Sequence, residues 1–211
     1  MQAPPIKFLY FDLGKVLVHF TVERMLRQVG AAAGVEPEQV REVIFRGGLQ
    51  TELETGRITP REFHDRFCRQ TGTRTDYEVL ERAASDIFEL NVSILPVLAG
   101  LSEAGWPMGI LSNTCSTHWE HCYRRFSILE SLFGTYALSY RIGTMKPDAA
   151  IFLTAAKMAG CRPGEIFYVD DMVQHVEGAR AVGFDAVQYT GTPQLMAELR
   201  RRGLPHGGDG R

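Results

Sequence analysis

Apolar residues along this chain gather into short unbroken runs instead of alternating with polar ones. Such runs stand at 6–11, 107–111, 135–138, 166–169 and 184–188. A run of this length bounded by turn residues predicts a strand buried on both faces. Helical patterns fill the gaps near 95–104, 115–126, 148–159, 173–182 and 193–202. Gly105, Gly160 and Gly183 each close one of these helices before a strand, where a left-handed cap residue is favoured. Strands alternating with helices of this length predict βαβ units, and so a doubly wound parallel α/β sheet with helices on both faces.

The first gap breaks the rhythm. Residues 12–106 separate the first strand from the second, far too many for one crossover. The interval reads as helix after helix, at 22–33, 38–45, 49–55, 60–70 and 76–88. Glu36-Pro37-Glu38 and Thr59-Pro60-Arg61-Glu62 are helix-start signals, with proline in the first turn and acids beside it. A helical insertion here would lie over the sheet edge as a lid. The expected organisation is a core of residues 1–18 and 91–202 with a helical cap subdomain of 19–90. A tail of 203–211, rich in Gly, Arg and Pro, is expected to fray into solvent.

Composition narrows the function classes. A chain of 211 residues holds one α/β domain plus an insertion, and its 45% apolar and 23% charged residues are those of a globular protein. A net charge of −2 gives neither a nucleic-acid footprint nor a membrane-surface patch. No apolar stretch reaches the ~18 residues that span a bilayer. Residues 1–5 lead into the first strand without a signal-peptide pattern, so a cytoplasmic location is expected. Cys68, Cys115, Cys122 and Cys161 are dispersed and form no CxxC pair, which predicts reduced thiols. Cys115, His118, His121 and Cys122 invite comparison with a zinc site. On one helix they fall at angles of about 0°, 300°, 240° and 340°, and a single helix does not easily wrap four ligands tetrahedrally around an ion. They are read as a half-buried helix face.

The candidate chemistry stands at the ends of the predicted strands. Asp12 follows the first, Ser112-Asn113-Thr114 the second and Asp170-Asp171 the fourth, while Lys146-Pro147-Asp148 opens a helix. Singly, each has an ordinary reading: a turn, a helix cap, a surface lysine. In a parallel sheet, however, ligands bind outside the carboxyl ends of the strands, so these groups are expected at one edge. Adjacent acids at 170–171 also repel unless a cation or solvent relieves them.

In this order and spacing, the motifs resemble the haloacid dehalogenase-like hydrolase superfamily in its helical-cap form, over residues 6 to about 190. Phe11-Asp12-Leu13-Gly14-Lys15-Val16-Leu17 with Val169-Asp170-Asp171 looks most like the branch containing the bacterial α-glucose-1-phosphate phosphatase. The resemblance implies that Asp12 attacks phosphorus to form an aspartyl-phosphate, which water then hydrolyses. It implies Mg²⁺ held by Asp12, the Gly14 carbonyl, Asp171 and waters, with Asp170 a further ligand or a group orienting those waters. Lys146, Ser112 and N–H groups at a helix start would bind the phosphoryl oxygens, and Asn113 and cap residues would shape substrate choice. The implied partner is a small phosphorylated metabolite, above all a sugar phosphate.

One position departs from the family pattern. Most phosphatases of the superfamily carry a second aspartate two residues after the nucleophile, as general acid and base; here Gly14 stands in its place. Such a group is worth roughly 10²–10⁴-fold in rate. Three outcomes follow. The substrate is an ester needing little acid assistance, such as an anomeric sugar phosphate; or another group serves, with His19 nearest along the chain; or the protein binds a phosphorylated ligand with little or no turnover. The glucose-1-phosphate branch also carries glycine here, so a working enzyme is expected. Haloacid dehalogenation, which attacks carbon without Mg²⁺, gains nothing from paired acids at 170–171 and fits less well.

Overall fold

The computed structural model describes residues 5–205, so the chain before residue 5 and most of the expected tail, 206–211, lie outside the described residues. Among the described residues, seven strands form: β1 (Phe8–Phe11), β2 (Val18–His19), β3 (Glu89–Leu90), β4 (Met108–Ser112), β5 (Thr135–Leu138), β6 (Ile166–Asp170) and β7 (Asp185–Gln188). Five of them make one sheet in the order β5-β4-β1-β6-β7, every pair parallel. The chain leaves β1 for β4 on one side and later reaches β6 on the other. The carboxyl end of β1 is thus the switch point at which such sheets bind ligands.

Helices α1 (Val22–Ala33), α2 (Pro37–Arg41), α3 (Leu49–Glu54), α4 (Pro60–Thr71) and α5 (Tyr77–Ser85) lie between β2 and β3. The rest follow β3: α6 (Leu95–Glu103), α7 (Ser116–Arg125), α8 (Ile128–Ser131), α9 (Ser139–Ile142), α10 (Ala149–Met158), α11 (Val173–Ala181) and α12 (Thr192–Arg201).

The continuous apolar runs are explained by two cores, one on each sheet face. Leu9, Phe11, Ile110, Phe167 and Val169 pack with residues of α6, α7 and α12. Phe8, Tyr10, Leu111, Ile166 and Tyr168 pack on the opposite face with α10 and α11. Alternate side chains of one strand therefore enter different cores, and both sets must be apolar. The Tyr10 hydroxyl, sealed in the second core, donates to the Ala155 carbonyl at 2.9 Å.

The helical insertion is built from strong local signals. Thr59 and Glu62 form a capping box at the start of α4, and Asp76 caps α5 through the N–H groups of Glu78 and Val79. Two elements differ from the pattern-based expectation. The helix expected over 38–45 is α-helical only to Arg41, and 42–46 widen into a π-helical turn closed by Gly47 N–H donating to the Glu42 carbonyl. The helix expected over 76–88 ends at Ser85. Ile87 and Phe88 leave it to enter the core, and Glu89–Leu90 pair antiparallel with Val18–His19. Burying those two side chains decides the matter over continuing the helix. The resulting two-residue ribbon joins the insertion to the sheet, and Asn91 locks its foot by donating to the Val16 carbonyl and the Tyr189 hydroxyl.

Gly109 marks the tightest packing in the sheet. A Cβ there would lie 2.5 Å from the Tyr10 ring and 2.9 Å from the Thr135 carbonyl oxygen. Gly109→Ala is expected to cost about 1–3 kcal/mol through overpacking, read as a lower urea midpoint at unchanged slope. An unchanged midpoint would show that this close approach is not rigid.

Candidate active site

Asp12 sits one residue past the end of β1, where its N–H still donates to the Val169 carbonyl at 2.9 Å. Its Oδ1 accepts from the Leu13 N–H at 2.7 Å and lies 3.0 Å from Lys146 Nζ. The chain then reverses. Lys15 takes a left-handed conformation (φ 58°), and the turn closes through Lys15 N–H to Val18 O and Val18 N–H to Leu13 O. The Gly14 carbonyl takes no part in that closure, and the Lys15 ammonium lies 3.8 Å from Asp171 Oδ2.

Lys146 is the hub. Its ammonium is buried and donates to Asp170 Oδ2 at 2.6 Å, to the Tyr168 hydroxyl at 3.0 Å and to the Leu111 carbonyl at 3.1 Å. The loop carrying it is held by Asn113, whose Oδ1 accepts from Lys146 N–H at 2.8 Å and whose Nδ2 donates to the Lys146 carbonyl at 3.0 Å. Expected to shape substrate choice, Asn113 thus spends its amide on positioning Lys146. A second tie runs through Ser139, which accepts from Thr114 N–H and donates to the Thr114 carbonyl. Ser112, the last residue of β4, is buried beside Asp12 and interacts with its carboxyl.

These charges hold one another in place. Burial pushes the Asp12 carboxyl up to about 6, against the pull of the Lys146 ammonium and with a further push from Asp170. Burial opposes the Asp170 charge too, but Lys146 and His175 overcome it and hold that carboxyl well below its ordinary value. Lys146 stays above its own usual range, because the two carboxylates outweigh its burial. Asp171 is raised, by burial and by Asp170 beside it.

Asp12, Asp170 and His175 place one ligand atom each within 4.8 Å of one another, as a metal site would. Lys146, however, occupies the space between Asp12 and Asp170. Asp170 already accepts from Lys146, the Tyr168 hydroxyl, Met172 N–H and the His175 ring, so its oxygens are filled. A cation is better served by the hard oxygen donors of Asp12, Asp171 and the Gly14 carbonyl. Two carboxyls with raised affinity for protons are also the ones that a divalent ion would relieve. Asp170 is thus committed to Lys146, Tyr168, Met172 and His175. His175, five residues after Asp170 on α11, went unread in the sequence. So did Tyr168, hidden inside an apolar run.

Beside Asp12 lies a cavity of about 310 Å³ lined by Gly14, Ser112, Asn113 and His118 from the core side and by Phe20, Phe45, Gln50, Thr51, Glu54 and Phe88 from the insertion. His19 is not among its lining residues. It is exposed on β2, in register with Glu89. Cys115 and Cys122 are buried, their thiols pushed up to about 11 and about 12 by burial, while the His118 and His121 rings lie against Phe88.

Replacing Lys146 with Met would leave the buried Asp12 carboxylate without its ion pair and Asp170 with His175 as its remaining charged partner, at a cost of about 3–5 kcal/mol. Asp12, already raised by burial, would then lie further above its unfolded value, so the variant gains stability as pH falls and loses it as pH rises. The deficit against wild type, from urea unfolding in EDTA, is expected to be larger at pH 8 than at pH 5.5. An equal deficit at both would contradict the charge cluster.

Comparison with known proteins agrees with this geometry. The model of the haloacid dehalogenase-like hydrolase family matches residues 6–183. A glyceraldehyde 3-phosphate phosphatase of Methanopyrus kandleri is 27% identical over 165 residues, covering 74% of this chain and 70% of that protein. A D-ribitol-5-phosphate phosphatase of Bacteroides thetaiotaomicron is 25% identical over 203 residues, covering 93% and 96%. A HAD family enzyme of Bacteroides thetaiotaomicron, solved in complex with magnesium and inorganic phosphate, superposes with a TM-score of 0.77 at 26% identity, covering 87% of this chain and 93% of that one. The glucose-1-phosphate branch is not among these relatives. With a parallel sheet that brings Asp12, Ser112, Lys146 and Asp170 together at its carboxyl edge, and a family match over most of its length, the chain belongs to the haloacid dehalogenase-like hydrolases.

Proposed function

We propose that this hydrolase is a Mg²⁺-dependent phosphatase of small phosphorylated metabolites, acting on sugar or polyol phosphates through an aspartyl-phosphate on Asp12. The observation that carries the reading is the buried Asp12 carboxylate 3.0 Å from the Lys146 ammonium, next to a cavity that Leu13, Gly14 and Ser112 line and that is large enough for a small ester. A carboxylate approaches a phosphate dianion only if positive charge screens the repulsion. Lys146 supplies one such charge from a fixed position. Asp12, Asp171 and the Gly14 carbonyl would hold Mg²⁺, which when bound supplies the remaining charge neutralisation. Ser112 and the N–H groups of the loop leading into α7 would cradle the phosphoryl oxygens. Asp170 would keep Lys146 charged and aimed, and the insertion would exclude water when a substrate fills the cavity.

The relatives support the substrate class. Glyceraldehyde 3-phosphate and D-ribitol 5-phosphate are small hydroxylated phosphate esters of primary alcohols, while Gly14 favours anomeric phosphates, whose leaving groups are more acidic. The competing reading, a phosphate-ligand binding protein with little turnover, rests on Gly14. Among the described residues no helix is long and apolar enough to cross a membrane.

Phosphate release from a panel of anomeric, triose and polyol phosphates is expected with Mg²⁺, to be lost in EDTA, and to be lost in Asp12→Asn. Mg²⁺-dependent binding of these esters without release would favour the binding protein. Protons compete with the cation for Asp12 below about pH 6, and for Asp171. The rise in Tm on adding Mg²⁺ is therefore expected to be larger at pH 8 than at pH 5 and absent in Asp171→Asn; a pH-independent rise would place the cation elsewhere.

A further inference from the structure

Breaking the ester of a primary alcohol leaves an alkoxide, and at neutral pH that oxygen needs a proton in the transition state. Gly14 has no side chain to give one, and the space is taken: a Cβ on Gly14 would lie 2.9 Å from the Phe20 ring. Asp12 is the attacking group, and Lys146 is held by Asp12, Asp170, Tyr168 and a carbonyl. His19 is exposed and is not among the residues that line the cavity. One carboxyl does line the cavity from the opposite wall, that of Glu54 at the end of α3.

Resting on the phosphatase reading above, we propose that Glu54, a residue of the helical insertion, is the general acid and base of this enzyme. Three features support the assignment. First, Glu54 is anchored: Gln50 Nε2 donates to its Oε1 at 2.7 Å. Second, the end of its helix is pressed onto the core, because Gly56 (φ +65°) approaches the Tyr140 carbonyl so closely that a Cβ would collide with it. This fixes the end of α3 against α9, with Glu54 lining the same cavity as Gly14 and Ser112. Third, its protonation suits the task. Burial raises the Glu54 carboxyl above its ordinary value, while the Gln50 hydrogen bond and His118 pull it down and Asp12 pushes it up, with Lys146 pulling weakly the other way. Other charges on neighbouring elements pair elsewhere, among them Arg66 with Glu52, Arg46 with Glu38 and Glu42, and Arg141 with the Tyr140 hydroxyl.

The proton accounting closes. In the first step an Asp12 oxygen bonds to phosphorus, the ester P–O bond breaks, and the leaving oxygen takes the Glu54 proton. In the second, water attacks the phosphorus of the aspartyl-phosphate, gives its proton to the Glu54 carboxylate, and the Asp12 O–P bond breaks to release phosphate. Glu54 ends protonated, as it began.

The test compares D-ribitol 5-phosphate with p-nitrophenyl phosphate, whose leaving group needs no proton, in wild type, Asp12→Asn and Glu54→Gln with Mg²⁺. Wild type and Asp12→Asn report whether phosphoryl transfer occurs at all. Glu54→Gln is expected to keep the wild-type burst of p-nitrophenol and then stall as phosphoenzyme, while turnover of the alkyl ester falls roughly 10²–10⁴-fold. Gln50→Leu removes a hydrogen bond to the charged form, so it should shift the alkaline limb of alkyl-ester turnover to higher pH. A p-nitrophenol burst slowed as much as alkyl-ester turnover, or full alkyl-ester turnover in Glu54→Gln, would overturn the proposal while leaving the phosphatase reading intact. A wild type inert on both esters would overturn both.

Discussion

The contact on which the rest of the site depends is the buried ammonium of Lys146 between Asp12 and Asp170, at 3.0 Å and 2.6 Å. Three charges removed from water are tolerable only when their mutual geometry is good and their remaining hydrogen-bonding capacity is filled. Much of the local structure serves that end. The order of the sheet puts β1 between β4 and β6, so that Asp12 and Asp170 end adjacent strands. Asn113 and Ser139 bind the loops after β4 and β5 to each other and to Lys146. Tyr168, His175 and the Met172 N–H fill the Asp170 oxygens. The result is a carboxylate at Asp12 held close to a fixed positive charge.

The division of labour between core and insertion follows from the same constraint. The core, rigid and buried on both sheet faces, carries the charge cluster. The insertion closes the cavity with Phe45, Gln50, Thr51 and Glu54, and joins the core through a ribbon of two-residue strands. Phe20 and Phe88 pack against each other beside that ribbon, with ring centroids 5.5 Å apart, and both line the cavity. Phe20 fills the space in front of Gly14, so the glycine is matched by its surroundings and is more than a simple loss.

The sheet and the charge cluster were legible because both leave local marks. Continuous apolar runs require burial on both faces, and in a parallel sheet the polar residues ending such runs share one edge, which placed Asp12, Ser112 and Asp170 correctly. Lys146 was legible only through the family pattern, since nothing local distinguishes a lysine before a proline. Other features leave no mark at all. Two-residue strands have no period to detect, so neither the ribbon nor the exposure of His19 within it could be read from the sequence. Glu54 reads as one of many acids on a polar helix, because sequence does not say which way an insertion folds over a sheet. His175 and Tyr168 act through Asp170, and such support is defined by three-dimensional contact alone.

The central claim is covalent: the phosphoryl group passes through Asp12. Rapid acid quench during turnover of a sugar or polyol phosphate, followed by peptide mapping by mass spectrometry, tests it directly. The account predicts one phosphoryl group on the peptide containing Asp12, rising and decaying with turnover and missing in EDTA. Phosphate release with that peptide unmodified at every quench time, or with the phosphoryl group on another peptide, would contradict it.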